Sequence, residues 1–176
     1  MPFPKILPHI FREEGGYVDH PRDPGGATNM GITHKTLAAW RGRSVTKRDV
    51  KNLSKKEAGN IYRKNYWNKV NGDNVDDISP AIAYVLVDCA VNRGTSRAAK
   101  TLQKCLGVKV DGDIGNKTIG ALERCSNHHR LLAKFLARRM FNYGNLTSLF
   151  RTFGLGWARR LMRVSLIAGE MMGSEK

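Results

Sequence analysis

The stretch FREEGGYVDHPRDPGGATNMGITH, residues 11–34, decides how this chain is interpreted. The apolar residues before and at its start recur at helical spacing, and they predict a helix that ends at Gly15-Gly16. A loop rich in proline and glycine follows over residues 17–30, and a short hairpin is expected to run into Gly31-Ile32-Thr33. The stretch therefore predicts two adjacent glutamates at the end of a helix, beside a stiff loop.

Helix phase distinguishes these two glutamates. Glu14 lies four residues after Ile10 and eight after Ile6, on a face that is otherwise apolar, whereas Glu13 shares the polar side with His9. Apolar surroundings and the negative end of the helix dipole both disfavour a charged carboxylate. Glu14 is therefore predicted to hold a proton that it can donate, as the general acid of glycosidic cleavage must. The alternative is a solvated carboxylate at a helix end.

A second carboxylate follows in the loop. Asp23 comes nine residues after Glu14, between Pro21 and Pro24, and Thr28 adds a hydroxyl group that is able to position water. Two carboxylates from different elements with a hydroxyl beside them are the parts of a glycoside hydrolase. The other interpretation of Asp23 is ordinary turn chemistry, which the sequence D-P-G-G favours.

The rest of the chain indicates helices with recognisable starts. Thr46 is a candidate cap for a brief helix, Ser54 to Glu57 form a capping-box pattern, and Ser79-Pro80 place an N-cap before a proline. The segment AIAYVLVDCAVN, residues 81–92, is almost wholly apolar and predicts a central buried helix. We therefore expect a mainly α fold of the α+β type, with a helical bundle around that helix and a small loop and hairpin region near the active site.

Charge divides the chain near Gly94. The net charge is +15, and residues 1–94 hold 15 basic and 10 acidic residues, whereas residues 95–176 hold 15 basic and 5 acidic ones. A basic surface attracts nucleic acid, anionic lipid or an acidic cell-wall polymer, and it also serves solubility. Two regions are therefore predicted, 1–94 and 95–176, packed together in a monomer.

Other features of the sequence concern the cellular location of the protein. No run approaches the roughly 20 apolar residues that span a bilayer, and the start of the chain lacks the features of a signal peptide. We expect synthesis in the cytoplasm and, for any export, a route that does not use a signal peptide. Cys89, Cys105 and Cys125 suit reduced thiols, or one disulfide with a leftover thiol.

Several motifs carry a family resemblance. EGGY, DPGGATNMGIT and the later DCAVNRG resemble glycoside hydrolase family 108, whose members are N-acetylmuramidases that cut peptidoglycan, and LQKCLGVKVDGDIGNKTIGAL resembles that family's C-terminal peptidoglycan-binding module. The nearest classes are secretion-associated muramidases and phage endolysins. The resemblance implies a lysozyme-like fold, cleavage of the β-1,4 bond between N-acetylmuramic acid and N-acetylglucosamine, and Glu14 as the essential acid. It also implies a catalytic region over 1–94 and a helical peptidoglycan-binding region over 95–176. A protein of this kind is expected to act in the periplasm or on the cell wall, by a non-classical or holin-type export route.

The chain departs from phage-type lysozymes at one position. Those enzymes carry a threonine fifteen residues after the glutamate, where this chain has Asn29, and Thr28 stands one residue earlier. The catalytic set predicted here is Glu14, Asp23 and Thr28, and the departure leaves both the role of Thr28 and the retaining or inverting outcome open.

Four further residues are candidates for substrate binding. Asp88, Asn92 and Arg93 finish the apolar helix, where polar residues either line a cleft or pair internally, and Tyr17 either packs against a sugar ring or belongs to the core. The turn DGDIG lacks the spaced oxygen ligands and distal glutamate of a calcium loop, so no metal or cofactor is expected. The expected partner is peptidoglycan and not nucleic acid.

Three other functions remain as alternatives. A lytic transglycosylase also relies on a single acid, and a non-catalytic basic protein that binds cell wall or nucleic acid would explain the charge alone.

Overall fold

The structure, a computed structural model, describes residues 3–19 and 26–173. These residues form ten α-helices, two short segments of other helix types and one two-stranded antiparallel sheet. The expectation of a mainly α fold with a small hairpin is therefore confirmed. The chain divides into two compact units. Pro4–Asn65 forms the hairpin unit, and Phe3 with the residues from Tyr66 onward forms the helical unit.

The hairpin unit is built around the end of its first helix, α1. In chain order its elements are α1 (Phe3–Glu14), β1 (Thr28–Asn29), β2 (Ile32–Thr33), α2 (His34–Arg41), α3 (Lys47–Lys51) and α4 (Lys55–Tyr62). Helix α1 stops because Gly15 adopts a left-handed φ of 78° and its N–H donates to the Phe11 carbonyl at 3.1 Å. The predicted end of this helix is confirmed.

Side-chain caps begin the short helices of this unit. Thr46 and Asp49 form a complete capping box at α3. Ser54 caps α4 by accepting from the Glu57 N–H, as predicted, but the Glu57 carboxylate accepts from Arg41 of α2. One half of the predicted box therefore joins two helices instead of closing a helix end.

The helical unit surrounds one buried helix. A π-helical turn, Arg63–Trp67, and a 3-10 turn, Asn68–Val70, precede it. The helices that follow are α5 (Gly72–Ile78), α6 (Pro80–Arg93), α7 (Thr95–Leu106), α8 (Asn116–Glu123), α9 (His128–Gly144) and α10 (Thr147–Gly173).

Helix α6 is the centre of this unit. It is capped by the Ser79 side chain and starts at Pro80, and every residue from Ala81 to Ala90 is buried. It packs against α5, α7, α9 and α10. The prediction of a central buried helix is therefore confirmed, whereas a functional boundary at residue 94 stays a prediction. Among the described residues, no helix has both the length and the apolar character that crossing a bilayer requires.

Candidate active site

Glu14 is the last residue of α1, on the face that the sequence indicated. Ile6 and Ile10 have no exposed surface, so the predicted apolar stripe leads directly to the Glu14 side chain, which is half-buried. Glu13 is half-buried too. The direction of the helix face, and not exposure, separates the two glutamates.

The turn of the hairpin lies against Glu14. Met30 and Gly31 form this turn with φ values of 48° and 71°. A Cβ atom at Gly31 would lie 2.5 Å from the Tyr62 hydroxyl oxygen and 3.0 Å from Glu14 Oε2. The Glu14 carboxylate, the turn and the Tyr62 hydroxyl therefore converge on a space that admits only glycine.

Tyr62 holds this arrangement from α4. Its ring is buried and meets Phe11 edge to face at 5.5 Å, and its hydroxyl donates to the Met30 carbonyl at 2.8 Å. The ring thus ties α4 to α1 and to the turn. The sequence gives no signal for this role of Tyr62, because residue spacing does not reveal a contact across 32 positions of the chain.

The second predicted carboxylate, Asp23, lies outside the described residues. Thr28 belongs to β1, where its backbone pairs with Val18 on one side and with Thr33 on the other. Its hydroxyl is half-buried and donates to the Gly26 carbonyl at 3.5 Å. A catalytic role for Thr28 stays a prediction.

Asn29 occupies the position of the lysozyme threonine, and its amide has a structural task. It is buried, and its Nδ2 donates to the carbonyls of Val50 and Lys51 at 3.0 and 3.1 Å. These bonds join the hairpin to the end of α3. Nearby, Lys51 Nζ lies 5.9 Å from the centre of the half-buried Tyr17 ring. A sugar contact for Tyr17 stays a prediction.

Asp88 of α6 lies in the interior of the helical unit. It has no exposed surface, and it forms ion pairs with Arg139 of α9 at 2.8 Å and Arg160 of α10 at 2.7 Å. Burial opposes ionisation of this carboxyl, but the two guanidinium groups outweigh it and hold the pKa of Asp88 below its ordinary value. Of the two alternatives for Asp88, the contacts are those of internal pairing, and substrate binding stays a prediction.

Asn92 and Arg93 meet a buried tyrosine of α9. The Tyr143 hydroxyl donates to Asn92 Oδ1, and the Arg93 guanidinium lies 5.2 Å from the centre of the Tyr143 ring. Arg93 also borders a cavity of the helical unit. The structure therefore places Glu14, Tyr17 and Thr28 in the hairpin unit and Asp88, Asn92 and Arg93 on α6.

The DGDIG turn is folded onto one glutamine. Gln103 Nε2 donates to Asp111 Oδ1 and to the Asp113 carbonyl at 2.7 and 2.8 Å, and its Oε1 accepts from the Gly112 N–H at 2.9 Å. These bonds explain the compact turn without an ion. Within residues 3–19 and 26–173, no group of three or more histidine, cysteine or acidic side chains is arranged to hold a metal. The three cysteines are free thiols.

Two family models and one solved structure are similar to this chain. The family model for glycosyl hydrolase 108 matches residues 7–94, and that of a "Predicted Peptidoglycan domain" matches residues 97–162. The solved structure of Brucella abortus SagA is 47% identical with a TM-score of 0.81, over 96% of this chain and 94% of that one. No curated protein matches the chain.

These matches cover both parts of the chain, and the helices and hairpin described above agree with a mainly α, lysozyme-like fold. Half of the chain matches the hydrolase family, and most of the remainder matches the peptidoglycan module. The chain belongs to glycosyl hydrolase family 108 and is a glycoside hydrolase of peptidoglycan.

Proposed function

We propose that the protein cleaves the β-1,4 bond between N-acetylmuramic acid and N-acetylglucosamine, with Glu14 as the general acid. The observation that carries this proposal is the position of Glu14 at the end of α1, where its carboxylate and the Tyr62 hydroxyl both border the Gly31 turn. A side chain held between a helix end, a turn and a buried ring keeps one orientation, as proton transfer to a bound oxygen requires.

The reaction needs one group that donates a proton and a second group that either stabilises the cationic transition state or activates the attacking water. Protonated Glu14 gives its proton to the glycosidic oxygen as the C–O bond breaks, and the leaving sugar departs as an alcohol. We assign the second role to Asp23, which either stabilises the oxocarbenium-like transition state or takes a proton from the attacking water. Thr28 is our candidate for positioning that water.

Substituting the two neighbouring glutamates separately tests the role of Glu14. Glu14→Gln keeps the shape of the side chain but removes the acid, and we expect release of soluble muropeptides from purified sacculi to fall by at least about a hundredfold. Glu13→Gln is the matched control, because it makes the same change one residue away, and it should retain most of the activity. Unchanged release by folded Glu14→Gln would refute the assignment.

Mass spectrometry of the released fragments identifies the reaction. Hydrolysis leaves reducing muramic acid ends, whereas a lytic transglycosylase leaves 1,6-anhydro ends. Tight binding to sacculi without any new ends would instead indicate a binding protein without catalysis.

A peptidoglycan hydrolase must also reach its polymer. We propose action in the periplasm or on the cell wall, reached by a non-classical or holin-type export route. Fractionation of cells that express the tagged chain tests this, and retention of all the protein in the cytoplasm would contradict it.

A further inference from the structure

The helical unit contains a strongly basic pocket between α6, α7 and α9. Its volume is about 270 Å³, and five of its lining side chains are cationic while none is acidic. The cations are Arg93, Arg97, Lys100, Lys104 and Arg139. Burial raises the pKa of the Cys89 thiol, which also lines the pocket, so this group is uncharged at neutral pH and adds no negative charge.

Arg139 is the buried member of this set. It is only 2% exposed, and its Nη2 lies 2.8 Å from Asp88 Oδ2 and donates to the Tyr143 hydroxyl at 3.3 Å. Its Nε and Nη1 are buried and have no hydrogen-bond partner among the described residues. Buried N–H donors without an acceptor are costly, and Arg139 forms part of the pocket lining.

Tyr143 organises two of the guanidinium groups. Arg93 lies over its ring, Arg139 donates to its hydroxyl, and the ring itself stacks on Trp157 at 4.7 Å and 26°. A planar guanidinium matches the two oxygens of a carboxylate or phosphate with paired N–H groups. The Tyr143 ring therefore holds the Arg93 guanidinium at the pocket before a ligand arrives.

We propose that this pocket binds the free carboxylates of the peptide stems of peptidoglycan. The proposal rests on the proposed function, because a hydrolase of this polymer meets a stem at its muramic acid residues. The remaining lining groups suit a peptide, since the side chains of Thr101, Asn142 and Asn145 offer both donors and acceptors for amide groups. The pocket would then make the enzyme prefer walls whose stem carboxylates are free over walls in which they are amidated.

Calorimetric titration of the full chain tests the pocket directly. The ligands are the synthetic tripeptide L-Ala-γ-D-Glu-meso-diaminopimelate, the same peptide with its carboxylates amidated, and inorganic pyrophosphate. Because Arg139 is tied to Asp88, the test changes the exposed rim instead, with the double variant Arg97→Gln and Lys100→Gln. The matched control is Lys69→Gln with Arg159→Gln, which removes two exposed charges of the same unit outside the pocket.

We expect the free tripeptide to bind, amidation to weaken binding about tenfold, and the rim variant to do the same, since each removes charge-assisted hydrogen bonds. The control variant should bind as the wild type does. Equal binding of both peptides, or equal losses in both variants, would overturn the proposal. Binding of pyrophosphate alone at the pocket would overturn it in favour of a phosphate ligand.

The outcome is separable from that of the proposed function. If the tripeptide fails to bind while Glu14→Gln abolishes hydrolysis, only the pocket proposal fails. If Glu14→Gln still hydrolyses sacculi while the rim variant alone loses the tripeptide, only the catalytic assignment fails.

Discussion

Gly31 meets two separate demands at the candidate acid. Its φ of 71° is a conformation that side chains other than glycine adopt only at a cost. The space beside it is already taken by the Tyr62 hydroxyl and by Glu14 Oε2. The residue therefore lets the hairpin turn approach the end of α1 closely enough to bear on the orientation of the Glu14 carboxylate.

Gly31→Ala is expected to damage both stability and activity. The left-handed conformation costs about 1–2 kcal/mol with a Cβ, and overpacking against Tyr62 costs roughly 1–3 kcal/mol more. Relief of the clash requires Tyr62 or Glu14 to move, so hydrolysis of sacculi should fall at least about tenfold. Denaturant unfolding and muropeptide release measure the two effects.

Gly42→Ala is the matched control for this change. Gly42 lies in the same unit with a φ of 65°, but a Cβ there meets no atom within 4 Å. It should show the backbone cost alone and keep its activity. If both alanine variants lose the same stability and the same activity, contact with Tyr62 and Glu14 is not what makes glycine necessary at residue 31.

Single residues differ in how far the sequence predicts their surroundings. The buried face that leads to Glu14 could be predicted from Ile6 and Ile10, since residues four apart lie on the same face of a helix. The partner Tyr62 does not follow, because it reaches Met30 across 32 positions of the chain. Local periodicity carries no information about contacts of that kind.

At the scale of elements, Arg41 joins three short helices of the hairpin unit. From the end of α2 its Nε and Nη2 donate to both oxygens of Glu57 on α4 at 2.9 Å, and its Nη1 donates to Asp49 on α3 at 2.8 Å. The hydrogen bond with Arg41 lowers the pKa of Glu57. Hydrogen bonds from Thr46 first, and from Arg41 in addition, lower the pKa of Asp49 to about 2.

Arg41→Lys should lower the melting temperature, because an ammonium group cannot replace a fork that serves two carboxylates. Both acids have folded pKa values below their unfolded ones, so their contribution is complete above a pH of about 4. It is lost as the pH falls towards about 2, the folded pKa of Asp49. The difference between wild type and variant in thermal scans should therefore shrink from pH 6 to pH 2.

Arg48→Lys on the exposed side of α3 is the control for this experiment and should leave the melting temperature unchanged. A difference between wild type and Arg41→Lys that stays constant across the acid range would show that packing of the arginine stem, and not the ion pairs, stabilises these helices.

The start of a helix could be predicted where all the residues that cap it belong to that same helix. Thr46, and Ser79 with Pro80, act as the sequence indicated. Glu57 fits the capping pattern equally well, yet its carboxylate pairs with Arg41 sixteen residues earlier. A charged fork from another helix outcompetes a local cap, and the sequence contains no measure of that competition.

For the molecule as a whole, the composition gives the net charge but not the positions of the charged side chains in the fold. The net charge of +15 predicts attraction to anions. It does not reveal that two of the arginines, Arg139 and Arg160, are buried against Asp88, or that others line one pocket. An aspartate within an otherwise apolar helix is the one available signal, because a buried carboxylate needs a cationic partner.

Asp88→Asn should be the most destabilising of these substitutions, because it removes the carboxylate that pairs with two buried guanidinium groups, those of Arg139 on α9 and Arg160 on α10. Breaking a buried pair in this way costs about 3–5 kcal/mol, measurable as a lower free energy of unfolding in denaturant at pH 7. Since the folded pKa of Asp88 is lowered, its contribution is complete above a pH of about 4 and is lost as the pH falls through the folded value. The difference in unfolding free energy between wild type and variant should therefore become smaller in acid.

Asp77→Asn, an exposed change of equal charge in the same unit, is the control, and its unfolding free energy should stay within about 0.5 kcal/mol of the wild-type value. Equal effects of the two substitutions would mean that the interior ion pairs do not stabilise the helical unit.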